Sequence, residues 1–281
     1  MRKKLINIAG LTLIEILIAI VITSLMMGAM VTSYNLVNSS YRQVTDRAKI
    51  SQAGRDIVGT MLREIRMAGF KYMGDIIPLT TDHNPIKIYK NPLGTAGCDV
   101  IEIVYGDADY NKTAGKSATY DHTRYQITYK CEASSKIDRD SNAPVGYKLL
   151  KSKKKWNGTD FKTGSDDLYE DEVVLDYVQD LTFIPYNEKG NVMKSNSTNS
   201  KSTYWNKEYY PSNENAYDLR TIDIAITVRS SKKFYRNKTI RKILSIATTG
   251  AGNQKRDLNL EDEYFRDTIS VTANARNVGL E

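Results

Sequence analysis

The chain has little of what most hydrolases and metalloenzymes use. Its 281 residues include only two histidines, His83 and His122, and two cysteines, Cys98 and Cys131. So few ligating side chains leave few options for a metal centre or His-based catalysis. No Gly-x-Ser-x-Gly and no Cys/His arrangement occurs, so we read no enzyme here. "AGKS" (Ala114 to Ser117) has the end of a phosphate-binding loop, but Tyr110 stands where its first glycine belongs. Both histidines sit in polar stretches, which fits surface positions. Proline is absent before Pro78, and between Gly10 and Gly69 the only glycines are Gly28, Gly54 and Gly59. Little in that stretch forces a long helix to break. The formal charge is +7, but Arg2, Lys3 and Lys4 supply three of those positives; the remaining +4 is no strong argument for nucleic acid. Apolar residues at 41% and charged residues at 26% fit a folded body rather than disorder. The 19 tyrosines pack while keeping their hydroxyls wet, which suits a modest core with large exposed faces.

What is present begins at the N-terminus. Leu11 to Val31 is an apolar run with one charge, Glu15. As a helix it rises roughly 31 Å, about one bilayer core. It is longer than the apolar region of a secretory signal and lacks that signal's small-residue cleavage site. The basic head should stay cytoplasmic, which puts the C-terminal body outside the cytoplasmic membrane. A carboxylate at membrane depth is costly unless neutralised or paired, so Glu15 is a functional candidate. Cutting the chain after Gly10 supplies a partner. The new α-amino group on Leu11 lies one helical turn from Glu15, in the same chain or a neighbour. The cut also removes all three leader positives.

"GLTLIE" (Gly10 to Glu15) resembles the prepilin cleavage motif of type IV pilins and type II secretion pseudopilins. The resemblance implies cleavage between Gly10 and Leu11 by prepilin peptidase, N-methylation of Leu11, and docking through Glu15 onto a neighbouring subunit's amine. Leu11 departs from the usual Phe, a mild change in an apolar contact.

Beyond the run, Val37, Tyr41, Val44, Ala48, Val58, Met61, Leu62 and Ile65 keep helical spacing. Arg42, Asp46, Arg47, Lys49, Arg55, Asp56, Arg63, Glu64 and Arg66 read as the opposite, solvent-facing side. Gly69 supplies a left-handed stop. Such a helix would run roughly 87 Å from Leu11 to Ala68, longer than a solitary anchor needs. After Pro78 the period becomes two. "DVIEIVY" (Asp99 to Tyr105), "RYQITYKC" (Arg124 to Cys131), "VVLDYVQDLTFIPY" (Val173 to Tyr186), "TIDIAITVRS" (Thr221 to Ser230) and "DTISVTANAR" (Asp267 to Arg276) read as antiparallel strands. Tyr105 to Ala118, Ser134 to Val145 and Glu188 to Tyr217 read as polar loops, the last with Tyr204, Trp205, Tyr209 and Tyr210 able to meet a partner. The expected fold is α+β, pilin-like: a long N-terminal helix, transmembrane in its first half, packed on antiparallel sheet. The expected parts are a leader (1–10), a transmembrane and assembly helix (11–31), its amphipathic continuation (32–69) and an extracytoplasmic β-rich domain (70–281).

"QAGRDIVGTMLREIRMAGF" resembles the helix end of PilW-like minor pilins, and the later strand segments follow in that group's order. J-type pseudopilins of type II secretion are similar in pattern. The resemblance implies a subunit at or near a pilus tip that helps initiate assembly. Its implied partners are other minor and major pilins through the N-terminal helix, prepilin peptidase and an inner-membrane assembly platform. Its implied path runs from a single-pass precursor in a bacterial inner membrane to the pilus and cell surface, or to a periplasmic pseudopilus.

Three further patterns carry candidate chemistry. Cys98 and Cys131 would face an oxidising compartment. If bonded, they close a loop worth about 3.5 kcal/mol by chain entropy; two separate buried thiols is the other reading. Asp107, Asp109 and Asn111 alternate like the first half of a calcium loop, but Lys112 replaces its glycine and the terminal glutamate is missing. A polar turn explains them and the similar "DRDSN" (Asp138 to Asn142); calcium is the alternative, and no other cofactor is implied. "KSKKKW" (Lys151 to Trp156) joins basic residues to an aromatic, which reads as a solvated charged turn or as a DNA contact in a competence pilus.

Overall fold

A computed structural model describes residues 12–69, 85–89, 98–111, 119–137, 142, 144–164, 168–193, 203–204, 219–235, 237–243 and 258–278. The chain divides into two compact units, Met1–Ala48 and Lys49–Glu281. One helix, α1 (Leu13–Met67), contributes to both. With no proline and three glycines inside it, nothing in its sequence breaks the hydrogen-bond ladder. It stops where expected: Gly69 takes a φ of 72°, a conformation open to glycine, and its N–H donates to the Val104 carbonyl at 3.0 Å.

The second unit is built on an antiparallel meander. Its strands are β1 (Ile86–Tyr89), β2 (Val100–Asn111), β3 (Thr119–Ala133), β4 (Tyr147–Trp156), β5 (Phe161–Lys162), β6 (Tyr169–Asn187), β7 (Thr203–Tyr204), β8 (Leu219–Lys233), β9 (Thr239–Ile243), β10 (Leu258–Asp262) and β11 (Tyr264–Asn274). Nine of them form one sheet in the order β11-β8-β6-β4-β3-β2-β1-β7, with β5 paired to β4; β9 and β10 form a separate pair. The fold class is therefore α+β, a long N-terminal helix whose later turns pack on antiparallel sheet.

The core lies between the last turns of α1 and one face of this sheet. Gly54, Val58, Met61, Ile65 and Ala68 bury one stripe of the helix at spacings of three and four. Ile101, Ile103, Ile127, Leu149, Ile224 and Ile226 meet it from the strands. The helix comes close to the sheet at Gly54, where an added Cβ would lie 2.4 Å from the Ile269 side chain. Beyond Val178, β6 leaves its pairing with β4. Other groups take that edge: Asp99 accepts from Phe183 N at 3.0 Å, and the Pro185 carbonyl accepts from Met193 N at 3.0 Å. Pro185 sits where a missing N–H costs no ladder bond to β8, because it faces Ile222 between the hydrogen-bonded pairs.

Two expectations need correction. The span from Tyr105 reads as loop in sequence, yet β2 continues through Asn111, with Asp107, Asp109 and Asn111 opposite Thr123, Asp121 and Thr119. The polar residues are carried by a long hairpin whose ladder holds them extended. "KSKKKW" is not a turn either; it is the second half of β4, paired with β3 on one side and β6 on the other.

Candidate functional site

Gly10 and Leu11 lie outside the described residues; Thr12 and Glu15 lie inside them. Thr12 directly precedes α1, and Glu15 is the third residue of that helix. The Thr12 backbone N–H donates to Glu15 Oε2 at 2.8 Å, and the Thr12 hydroxyl donates to the same oxygen at 2.7 Å. The Thr12 carbonyl accepts from Glu15 N at 3.1 Å. This is a capping-box arrangement: a Thr followed three residues later by Glu, with the carboxylate folded back over the start of the helix. It also holds the carboxylate against the residue that follows Leu11. The apolar residues after it have no cover within the described residues. Leu13, Ile14, Leu17, Ile20, Leu25 and Met30 are all half-exposed or more. By length and composition α1 is able to cross a membrane, and none of its apolar window is buried.

The second unit holds a polar cluster that sequence reading places wrongly. Glu64 reads as part of the solvent face of α1, but it is 6% exposed. Tyr129 on β3 donates its hydroxyl to Glu64 Oε2 at 2.5 Å, and Lys151 on β4 donates from Nζ to Oε1 at 2.6 Å. The Lys151 ammonium also lies 5.6 Å from the Tyr129 ring centre and 5.8 Å from that of Tyr169. Burial acts to lower the Lys151 pKa, but its bonds to Glu64 and Tyr169 outweigh that and raise it. Burial raises the Tyr129 hydroxyl well above its ordinary value, and the Glu64 carboxylate adds to the shift. Tyr105, on β2, is pushed up to about 12 by burial and by Glu64. The cluster ties one turn of α1 to two adjacent strands. Its sequence signal was weak: Glu64 lies between Met61 and Ile65, two residues of the core stripe.

The remaining candidates separate. Cys98 and Cys131 are joined in a disulfide, with Cα atoms 5.6 Å apart, linking the entry to β2 with the end of β3. Asp107 is exposed on β2; the side chains of Asp109 and Asn111 are outside the described set. Among the described residues no group of three or more His, Cys, Asp and Glu side chains could hold a metal. His83 and the side chain of His122 lie outside the description, as does most of 188–217; within it, Thr203–Tyr204 pairs with β1. The basic run is largely spoken for. Lys151 is bonded to Glu64, Lys154 to Glu170, and Lys153 sits 4.7 Å from the Tyr125 ring centre. Lys155 alone among these lysines is exposed.

No family model matches the chain, and no curated protein matches it. Among solved structures it is similar to a type IV-like pilin from Thermus thermophilus, at 9% identity over 81% of this chain and 96% of that one, with a TM-score of 0.47.

Proposed function

We propose that this protein is a minor pilin: a structural subunit, without catalysis, that joins a type IV pilus at or near its tip and helps initiate assembly. In this reading residues 1–10 are a leader removed by prepilin peptidase, Leu11 becomes the N-methylated terminus, and residues 11–31 hold the chain in a bacterial inner membrane until assembly. One observation carries the proposal. An uncovered apolar helix begins with a carboxylate folded over its first turn, beside the position where cleavage would expose an amine. In hydrocarbon, that carboxylate is stabilised by pairing with the amine of Leu11 in its own chain or a neighbour. The helix then supplies an all-round apolar surface to other pilins, and the sheet-bound unit is carried outside the membrane.

A pseudopilin of a type II secretion system would use the same N-terminal device, and localisation decides between them. A DNA-contacting role draws less support, since three of the four lysines of "KSKKKW" are engaged with carboxylates or a ring of this chain.

The test begins with the mass of the N-terminal peptide from cells that make the protein. A peptide starting at methylated Leu11 is expected; one starting at Met1 would overturn the proposal. Glu15→Ala should then be processed and inserted normally, yet be missing from sheared pili. Its recovery there at the unmodified level would remove Glu15 from the docking role.

A further inference from the structure

We propose that Asn157 is a self-modifying site: its side-chain amide is lost to attack by the Gly158 backbone, leaving a carboxylate in the turn between β4 and β5. Asn157 and Gly158 form the only Asn–Gly pair in the chain. They open that turn, where the Asn157 N–H donates to the Asp160 carbonyl at 3.1 Å. Residues 157–160 are all exposed, so water reaches the amide. Gly158 takes a φ of 99°, and a Cβ built there would meet nothing within 4 Å. With no side chain in the way, its nitrogen is open to close a succinimide ring on Asn157 Cγ.

The turn also activates the amide. Thr159 N and Asp160 N both donate to Asn157 Oδ1, at 2.9 and 2.8 Å. When the Gly158 nitrogen attacks Cγ, negative charge develops on that same oxygen. Two backbone donors already aimed at it stabilise the charge, as an oxyanion hole does. The step balances with water alone. Gly158 N gives its proton to water or hydroxide and bonds to Cγ. The Cγ–Nδ2 bond breaks, and ammonia leaves with a proton taken from water. Water then opens the imide on either side, giving aspartate or isoaspartate.

Asn187 supplies an internal contrast. Its Oδ1 also accepts from two backbone donors, Lys189 N at 3.0 Å and Asn191 N at 2.9 Å. Glu188 follows it, and a side chain at that position crowds the attacking nitrogen. Asn187 thus has the activation without the open nucleophile. The surroundings of Asn157 also give the product a place. Lys155 and Lys162 stand directly opposite each other, and both are exposed. Like charges so placed repel, and neither forms an ion pair among the described residues. From Lys155 to Lys162 the one carboxylate is Asp160. A second at position 157 matches the two cations with two anions. None of this depends on the chain being a pilin.

The experiment follows the purified full chain in detergent over days, at neutral and mildly alkaline pH. Peptide masses and chromatography of the aspartate and isoaspartate forms give the rate at each asparagine. The expected result is conversion at Asn157, faster at the higher pH, and about tenfold slower conversion at Asn187. Thr159→Pro removes one of the two donors. It should slow Asn157 about tenfold, the effect of roughly one lost hydrogen bond. Thr159→Ala keeps that N–H and should leave the rate unchanged. If proline lowers the melting temperature, the unmodified chain in urea replaces it. With both donors gone there, Asn157 should again slow about tenfold. An intact amide at Asn157, equal rates at Asn157 and Asn187, or a rate indifferent to loss of the donors would overturn the proposal.

Discussion

The two halves of α1 are continuous in backbone and opposite in how they use apolar residues. From Leu13 to Ala48 no residue is buried. Apolar side chains there crowd every side of the first turns, so no single face of this chain could cover them. From Lys49 onward the apolar positions narrow to one stripe, and that stripe is sealed by the sheet. A helix that is apolar all round calls for a surrounding of lipid or of other helices; a helix with a stripe carries its partner in its own sequence. The first half is thus built for surroundings supplied from outside, and the second half for a fixed attachment.

The largest expected break in this comparison is at Glu64. Glu64→Ala leaves the Lys151 ammonium and the Tyr129 hydroxyl buried without their acceptor, and should cost about 3–5 kcal/mol. Asp46→Ala, in the first half, should stay within about 0.5 kcal/mol. Thermal melts of the full chain in detergent compare them. Equal melting temperatures would mean the cluster does not hold the helix. Glu64→Leu combined with Lys151→Met and Tyr129→Phe should recover most of the loss, because an apolar set avoids the buried charges altogether. Recovery of stability with a shifted helix would identify the cluster as a register device.

Next in size is the core stripe. Met61 is fully buried, and Met61→Ala should destabilise by about 2–5 kcal/mol. Leu25 is 69% exposed, and Leu25→Ala should change the melt of the isolated chain by less than about 0.5 kcal/mol. The same Leu25 variant is better read in assemblies, where other helices would surround it. If Leu25→Ala lowers the detergent melt as much as Met61→Ala does, the first half is packed within its own chain and the contrast fails.

Sequence patterning made much of this legible, for physical reasons. The missing prolines, the glycine stop at Gly69 and the change of period after Pro78 are local signals, and they identified α1 and the five longest apolar strand cores. β1, β9 and β10 escaped, being short. β4 escaped because Lys151 to Lys155 look solvated, yet in a central strand their stems cover the sheet and their ends find Glu64, Glu170 and the Tyr125 ring. Glu64 escaped for the complementary reason. A buried carboxylate is recognisable only with its partners, and these stand 65 and 87 residues away. At the N-terminus the Thr12 to Glu15 spacing fits a capping box, a local signal that a lone charge in an apolar run masks.

The smallest effect concerns pH and sharpens the same contrast. Tyr129 and Lys151 both have folded-state pKa values raised above their ordinary ones. Their contribution to stability is therefore complete below the unfolded values, about 10 for both, and is lost as pH rises through the folded values. Asp262 behaves oppositely. Burial works to raise it, but the Arg266 bonds and charge prevail and lower it. Its share is present above about pH 4 and fades as pH falls through the depressed value. The melting temperature should thus be level through neutrality and decline on an alkaline limb beginning near pH 10. Tyr129→Phe should cost about 1–3 kcal/mol at neutral pH and make that limb shallower, since one of the groups that titrate there is gone. Tyr41, 70% exposed in the first half, serves as the control, and Tyr41→Phe should leave the neutral melt within about 0.5 kcal/mol. An alkaline limb unchanged by Tyr129→Phe would show that Lys151 and Glu64 hold the helix without the phenol.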